Sequence, residues 1–243
     1  MKYTIDATHV PYTRLNRQIR LTPGTYRLDN INGQRYLGCG LGADYHFQIN
    51  GTPGNDLGAF MDGAEITVNG NCQDATGNTM NGGSIIVHGN ASDTAGYAMR
   101  NGEIFIRGDA GYRVAIHMKQ YGDEVPVLVV GGKTGSFLGE YMAGGIVLVL
   151  GLGLENPDDI TGSYCATGMH GGTIYLRGDV PDYKIAYAMV KEKITVDDEA
   201  KIRPLLKKFT QNFGISTDGI SMSQFVRIRP KTTRPYGKMY VGN

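Results

Sequence analysis

GAFMDGAEITVNGNCQDAT (Gly58–Thr76), GNTMNGGSIIVHGNASDTA (Gly77–Ala95) and GYAMRNGEIFIRGDAGYRV (Gly96–Val114) follow one another without a gap, each 19 residues long. Met61, Met80 and Met99 fall in register, and so do Gly70, Gly89 and Gly108. Between them lie the pairs Ile66/Val68, Ile85/Val87 and Ile104/Ile106. Alternation such as Glu65-Ile66-Thr67-Val68-Asn69 puts the two apolar residues on one face of a strand. One strand cannot bury that face alone. A recurring unit of this size can, by stacking coil on coil at about 4.8 Å. Burying each Ile or Val then contributes about 1.5–3 kcal/mol before entropy is subtracted.

The pattern extends both ways with looser spacing. Upstream, GCGLGADYHFQING (Gly38–Gly51) places Leu41 at the Met position and Phe47/Ile49 at the strand positions. Downstream, Met118 leads to Val127/Val129 and Gly131, Met142 to Val147/Val149 and Gly151, and Met169 to Ile174/Leu176 and Gly178. The fold read from these units is an all-β, right-handed parallel β-helix of about seven coils, with short helical caps at both ends. The regular hexapeptide beat of a left-handed β-helix is absent. The Met column is expected to fill an irregular interior corner, which a flexible thioether suits. The Gly closing each strand is expected to serve a corner with φ > 0.

The domain reading is an N-terminal cap over residues 1–35, the β-helix over 36–180, and a C-terminal helix and extended basic tail over 181–243. Leu15 and Ile19 in Tyr12–Arg20 suit a short amphipathic helix covering the open first coil. Asp197–Phe213 reads as a second helix with Asp197 or Asp198 as cap, an apolar stripe of Ile202, Leu205, Leu206 and Phe209, and Gly214 as stop. Pro204 inside it is expected to weaken its first half or split it. The segment from Arg227 onward is basic, and fits an arm docking on a neighbour as well as a mobile end.

Composition excludes several classes. Lys+Arg 24 against Asp+Glu 23 gives a net charge of +1 with no block of one sign, so neither a nucleic-acid nor a membrane-surface footprint is signalled. The longest apolar run, Gly144–Leu154, is too short to span a bilayer, and the start lacks a signal-peptide core. A cytoplasmic location is expected. Cys39, Cys72 and Cys165 are too dispersed for a disulfide framework and read as small buried hydrophobes.

Apparent motifs give way to structural readings. GGKT at Gly131–Thr134 lacks the earlier P-loop glycine, the position being Val127, and reads as a corner turn. GLG at Gly151–Gly153 has Asn156 where a dinucleotide fingerprint needs glycine, and reads as a loop insertion. His9, His46, His88, His117 and His170 show no paired ligand spacing. Asn55, Asp74 and Asp93 share one position in successive coils, which fits a polar ladder satisfying turn amides better than a weak cation site. No catalytic, cofactor-binding or metal residue is nominated.

The units G-x-x-M-x-G-G-x-I-x-V-x-G, with FLGEYMAGGIVLVLG (Phe137–Gly151) and GMHGGTIYLRG (Gly168–Gly178), resemble the GXGXG β-helix domain over roughly residues 36–180. That domain ends the large subunit of glutamate synthase and also occurs in formylmethanofuran dehydrogenase, as one of its chains. The resemblance implies a right-handed β-helix and a role in nitrogen metabolism and glutamate biosynthesis. This chain has no Cys at position 2, no room for a flavin barrel and no cysteine cluster for iron–sulfur, so no catalytic or cofactor residue transfers to it. The implied protein is a non-catalytic structural subunit of a glutamate-synthase-like oxidoreductase. Amidotransferase and FMN/iron–sulfur chains would be its partners and carry the cofactors; homo-oligomers are also compatible. The alternatives are a formylmethanofuran-dehydrogenase-like or N-methylglutamate-synthase-like complex. A free-standing polysaccharide enzyme is a third reading, disfavoured because the outward positions Glu65, Thr67, Glu103, Phe105 and Tyr175 form no carboxylate groove.

Overall fold

The computed structural model describes residues 1–232. The seven anticipated units become seven successive parallel strands, β3 (Tyr45–Thr52), β4 (Asp62–Asn69), β5 (Gly82–Val87), β6 (Glu103–Ile106), β7 (Val127–Val130), β8 (Ala143–Val149) and β9 (Gly171–Arg177). They stack in chain order as a parallel β-solenoid of about seven turns. Phe47, Ile66, Ile85 and Ile104 pair in a continuous ladder, as do Ile49, Val68, Val87 and Ile106. All eight are buried in one elongated core. Leu41, Met61, Met80, Met99, Met118, Met142 and Met169 line that core, all but Leu41 at 0% exposure.

The sheet takes in more of the ends than the cap reading foresaw. Two further parallel strands, β1 (Lys2–Asp6) and β2 (Gly24–Asn32), precede β3. Helix α1 (Tyr12–Arg20) lies between them and buries Leu15 and Ile19. It plugs the interior, whereas the sheet edge itself is β1. At the other end β9 pairs antiparallel with β11 (Phe225–Pro230), which pairs antiparallel with β10 (Met189–Lys193). The basic segment is thus a strand from Phe225 to Pro230, and its continuation over 233–243 lies outside the described residues.

Helix α2 (Val196–Phe213) differs from expectation in three ways. Its cap is Thr195, whose Oγ1 accepts from the Asp198 amide while the Asp198 carboxylate accepts from the Thr195 amide, a reciprocal capping box. Pro204 is accommodated in one uninterrupted helix. The helix also lies on the outer sheet face rather than on an end coil. Ile202, Leu205, Leu206 and Phe209 pack there against Phe105, Val127, Val129, Leu148 and Tyr175. Gly214 ends the helix in the left-handed region at φ 67°.

That second core corrects the register of β7. Ile104 pairs with Leu128 and Ile106 with Val130, so Leu128 and Val130 face the solenoid interior. Val127 and Val129, expected inside, face α2. The closing glycines also need another explanation. Gly70, Gly89 and Gly108 lie outside the left-handed region, unlike Gly151 and Gly178. A Cβ on Gly70 would run into the Gly51 carbonyl one coil below, and one on Gly108 into the Asn90 side chain. Close stacking, not φ, requires glycine at these positions.

Candidate partner-binding surface

Each coil turns just before the Met column by a device built from alternate residues. Asp56, Gly58 and Phe60 have φ of 62°, 66° and 56°, and the residues between them do not share the left-handed backbone. The same alternation recurs at Ala75/Gly77/Thr79, Thr94/Gly96/Ala98, Arg113/Ala115/His117, Phe137/Gly139/Tyr141 and Tyr164/Ala166/Gly168. The conformation reverses amide direction at every second residue. Ala75 and Thr79 donate to carbonyls of the next coil at 2.9 and 2.7 Å, while Gly77 donates to the coil before at 2.8 Å. The turn therefore closes hydrogen bonds to both neighbours, which offsets a cost of about 1–2 kcal/mol for each non-glycine residue held there.

The three positions face different surroundings. The middle residue faces the core, where a Cβ on Gly58 would meet Ile85 Cδ1 at 2.7 Å and one on Gly96 would meet Leu128 Cδ1 at 2.8 Å. The outer two positions mostly carry side chains toward solvent, Thr79 being a buried exception. Phe60, Tyr141 and Tyr164 are 54%, 40% and 60% exposed. Such left-handed aromatic residues are strained, and the strain is not repaid by burial.

Over the later coils these side chains assemble into a strip. Phe137 stacks on Tyr164 with ring centroids 4.9 Å apart, and the Arg113 guanidinium lies 5.2 Å from the Phe137 ring. His117 stacks on Tyr141 at 5.3 Å, and Tyr97 meets His117 edge-on at 6.0 Å. Arg113 Nε donates to Glu140 at 2.9 Å, joining the two columns. Tyrosine and arginine presented together on a rigid frame are the residues enriched at the centres of protein interfaces.

The residues weighed from the sequence are scattered. His46 meets Glu65 at 3.1 Å, and His170 Nδ1 lies 3.2 Å from the Gly168 carbonyl. His88 packs edge-on against Phe213 of α2, where burial and then Arg107 lower its pKa. The Asp74 carboxylate accepts from the Asp93 amide and the Asp93 carboxylate from the Tyr112 amide, so the polar ladder forms at Asp74 and Asp93, whereas Asn55 contributes only its backbone carbonyl, to the Tyr36 amide. A parallel ladder that the sequence reading missed runs through Asn71, Asn90 and Asp109 to the Lys133 amide, fixing GGKT as a corner. Burial pushes the thiols of Cys72 and Cys165 up to about 12, whereas Cys39 is half-exposed. Among the described residues no group of three or more His, Cys, Asp or Glu could hold a metal ion. No helix there is long and apolar enough to cross a membrane.

The outer sheet face also bears on the polysaccharide reading. Phe105 and Tyr175, two of the positions that would line a groove, are sealed beneath α2. The aromatic strip had no counterpart in the sequence reading. The signal was present, however, as a non-glycine residue directly before Met61, Met80, Met99, Met118 and Met142.

Comparison with known proteins agrees with the fold. The family model described as GXGXG motif matches residues 13–235. An uncharacterized protein of Methanocaldococcus jannaschii is 46% identical over 248 residues, covering 97% of this chain and 95% of that protein.

Proposed function

The chain belongs to the GXGXG motif family, and from that premise we propose that it is a non-catalytic structural subunit of a glutamate-synthase-like oxidoreductase complex. The observation that carries this reading is the strip formed by Arg113, Phe137, His117, Tyr141 and Tyr164. It presents strained, exposed aromatic side chains on a rigid solenoid, which supports a surface kept for a partner. The partners would be an amidotransferase chain and an FMN/iron–sulfur chain, with the β-helix holding the two in fixed relation. The cofactors would belong to those chains, and the work of this one would be positioning.

The test is affinity purification of the full chain from its native source. Recovery of amidotransferase and flavin/iron–sulfur chains is expected. Recovery of the chain with itself alone would overturn the proposal, and recovery of formylmethanofuran-dehydrogenase-like or N-methylglutamate-synthase-like subunits would reassign it within the same structural role.

A further inference from the structure

The coil between β8 and β9 is longer than the fold requires: 27 residues separate Met142 from Met169, against 19 between Met61 and Met80. The extra length includes Gly151–Gly153 and a single 3-10 turn at Pro157–Ile160. It stands opposite the β10–β11 ribbon and walls a cleft of about 740 Å³, within the range of small-molecule sites.

Arg177, at the end of β9, lines this cleft. One of its Nη atoms donates to the Gly151 carbonyl at 2.9 Å. Among the described residues Arg177 has no carboxylate partner. No buried side-chain nitrogen among the described residues is left without a partner, so its unbonded donors reach solvent, and Arg177 lines the cleft. The other charges of the cleft are mostly paired. Lys191 pairs with Asp179 and Asp182, and Glu192 with Arg227 and Arg229. Lys193 makes no ion pair among the described residues and adds a second uncompensated cation. Asp158 supplies the opposing charge on the rim, without pairing to Arg177.

We propose that this cleft binds a small anion, a carboxylate or a phosphate group, on the open donors of Arg177. A guanidinium presents a planar fork matched to either oxyanion, and a partly buried cation without a counter-charge gains most from acquiring one. Burial already pulls the pKa of Arg177 below its ordinary value, the direction expected of a charge short of compensation.

The experiment is isothermal titration calorimetry of the full chain at low salt with inorganic phosphate and, separately, with glutarate. Saturable binding of at least one is expected, and the one that binds identifies the oxyanion. Arg177→Gln should weaken it by about tenfold or more, and Asp158→Asn should tighten it. Should Arg177→Gln melt early, Lys193→Gln on the same cleft gives the reading, with a smaller loss of affinity expected. Binding of neither anion, or binding unchanged in the Arg177 and Lys193 variants, would overturn the proposal. The scaffold role stands or falls separately, because its test involves neither residue.

Discussion

Gly58 and Phe60 share a left-handed backbone, at φ 66° and 56°, yet they tolerate opposite changes. Gly58→Ala places a Cβ 2.7 Å from Ile85 Cδ1 in a closed core, adding overpacking to backbone strain. We expect a loss of about 2–4 kcal/mol in denaturant unfolding. Phe60→Gly removes strain at an exposed site and should be neutral or stabilising by up to about 1 kcal/mol, because the gain is partly cancelled by greater freedom of the unfolded chain. Equal destabilisation by both would contradict the account of the turn. At this scale the sequence was legible where side chains alternate, as at Ile66/Val68, and illegible where the backbone decides. Gly70 and Gly58 are both glycine, but one is needed for stacking distance and the other for φ and core space, and composition does not separate these causes.

Helix α2 is fastened to the solenoid by a polar clasp as well as by its apolar stripe. The buried Asp198 carboxylate accepts from the Tyr175 hydroxyl at 2.7 Å, the Thr195 amide at 2.7 Å and Arg227 at 2.8 Å. Burial opposes its ionisation, but the Thr195 amide, the Tyr175 and Thr195 hydroxyls and Arg227 together hold its pKa below the ordinary value. Glu192 is held down to about 2 by hydrogen bonds from Arg229 and then Arg227. A carboxyl depressed by folding stabilises above its unfolded pKa and loses that contribution as pH falls toward its folded one. Unfolding midpoints should therefore be level above about pH 7, dip slightly below about pH 6.5 as the unfolded chain protonates His88 more readily than the folded one, and decline further between about pH 4.5 and 2, and Glu192→Gln should flatten part of that last decline. Phe209→Ala should cost about 3–5 kcal/mol and release α2 to hydrogen exchange ahead of the solenoid strands. The stripe of α2 was readable because only one side of a surface helix is apolar. The register of β7 was not, because Val127-Leu128-Val129-Val130 is apolar on both faces, with the solenoid core on one side and α2 on the other. Alternation cannot choose a face when both are buried.

At the scale of the molecule, one rigid sheet carries an α2-sealed outer face on its later coils, an aromatic strip on its turn face, and a strand edge at each end in β1 and β10. The repeat made the solenoid legible from the sequence. The strip was not legible, because Arg113, Phe137 and Tyr164 lie 24 and 27 residues apart and become neighbours only through coil stacking. If the strip is where a partner chain sits, its removal should separate binding from folding. Tyr141 and Tyr164 are exposed and outside the buried core, so Tyr141→Ser with Tyr164→Ser should leave the melting temperature within a few degrees of the parent. Central aromatic anchors contribute about 2 kcal/mol or more each to association, so the double variant should lose partner binding by at least about a hundredfold in a pull-down or calorimetric titration. Full recovery of the partners by the variant would place the docking surface elsewhere, with the two strand edges the next to probe, because among the described residues β1 and β10 end the sheet and such edges accept a strand from another chain.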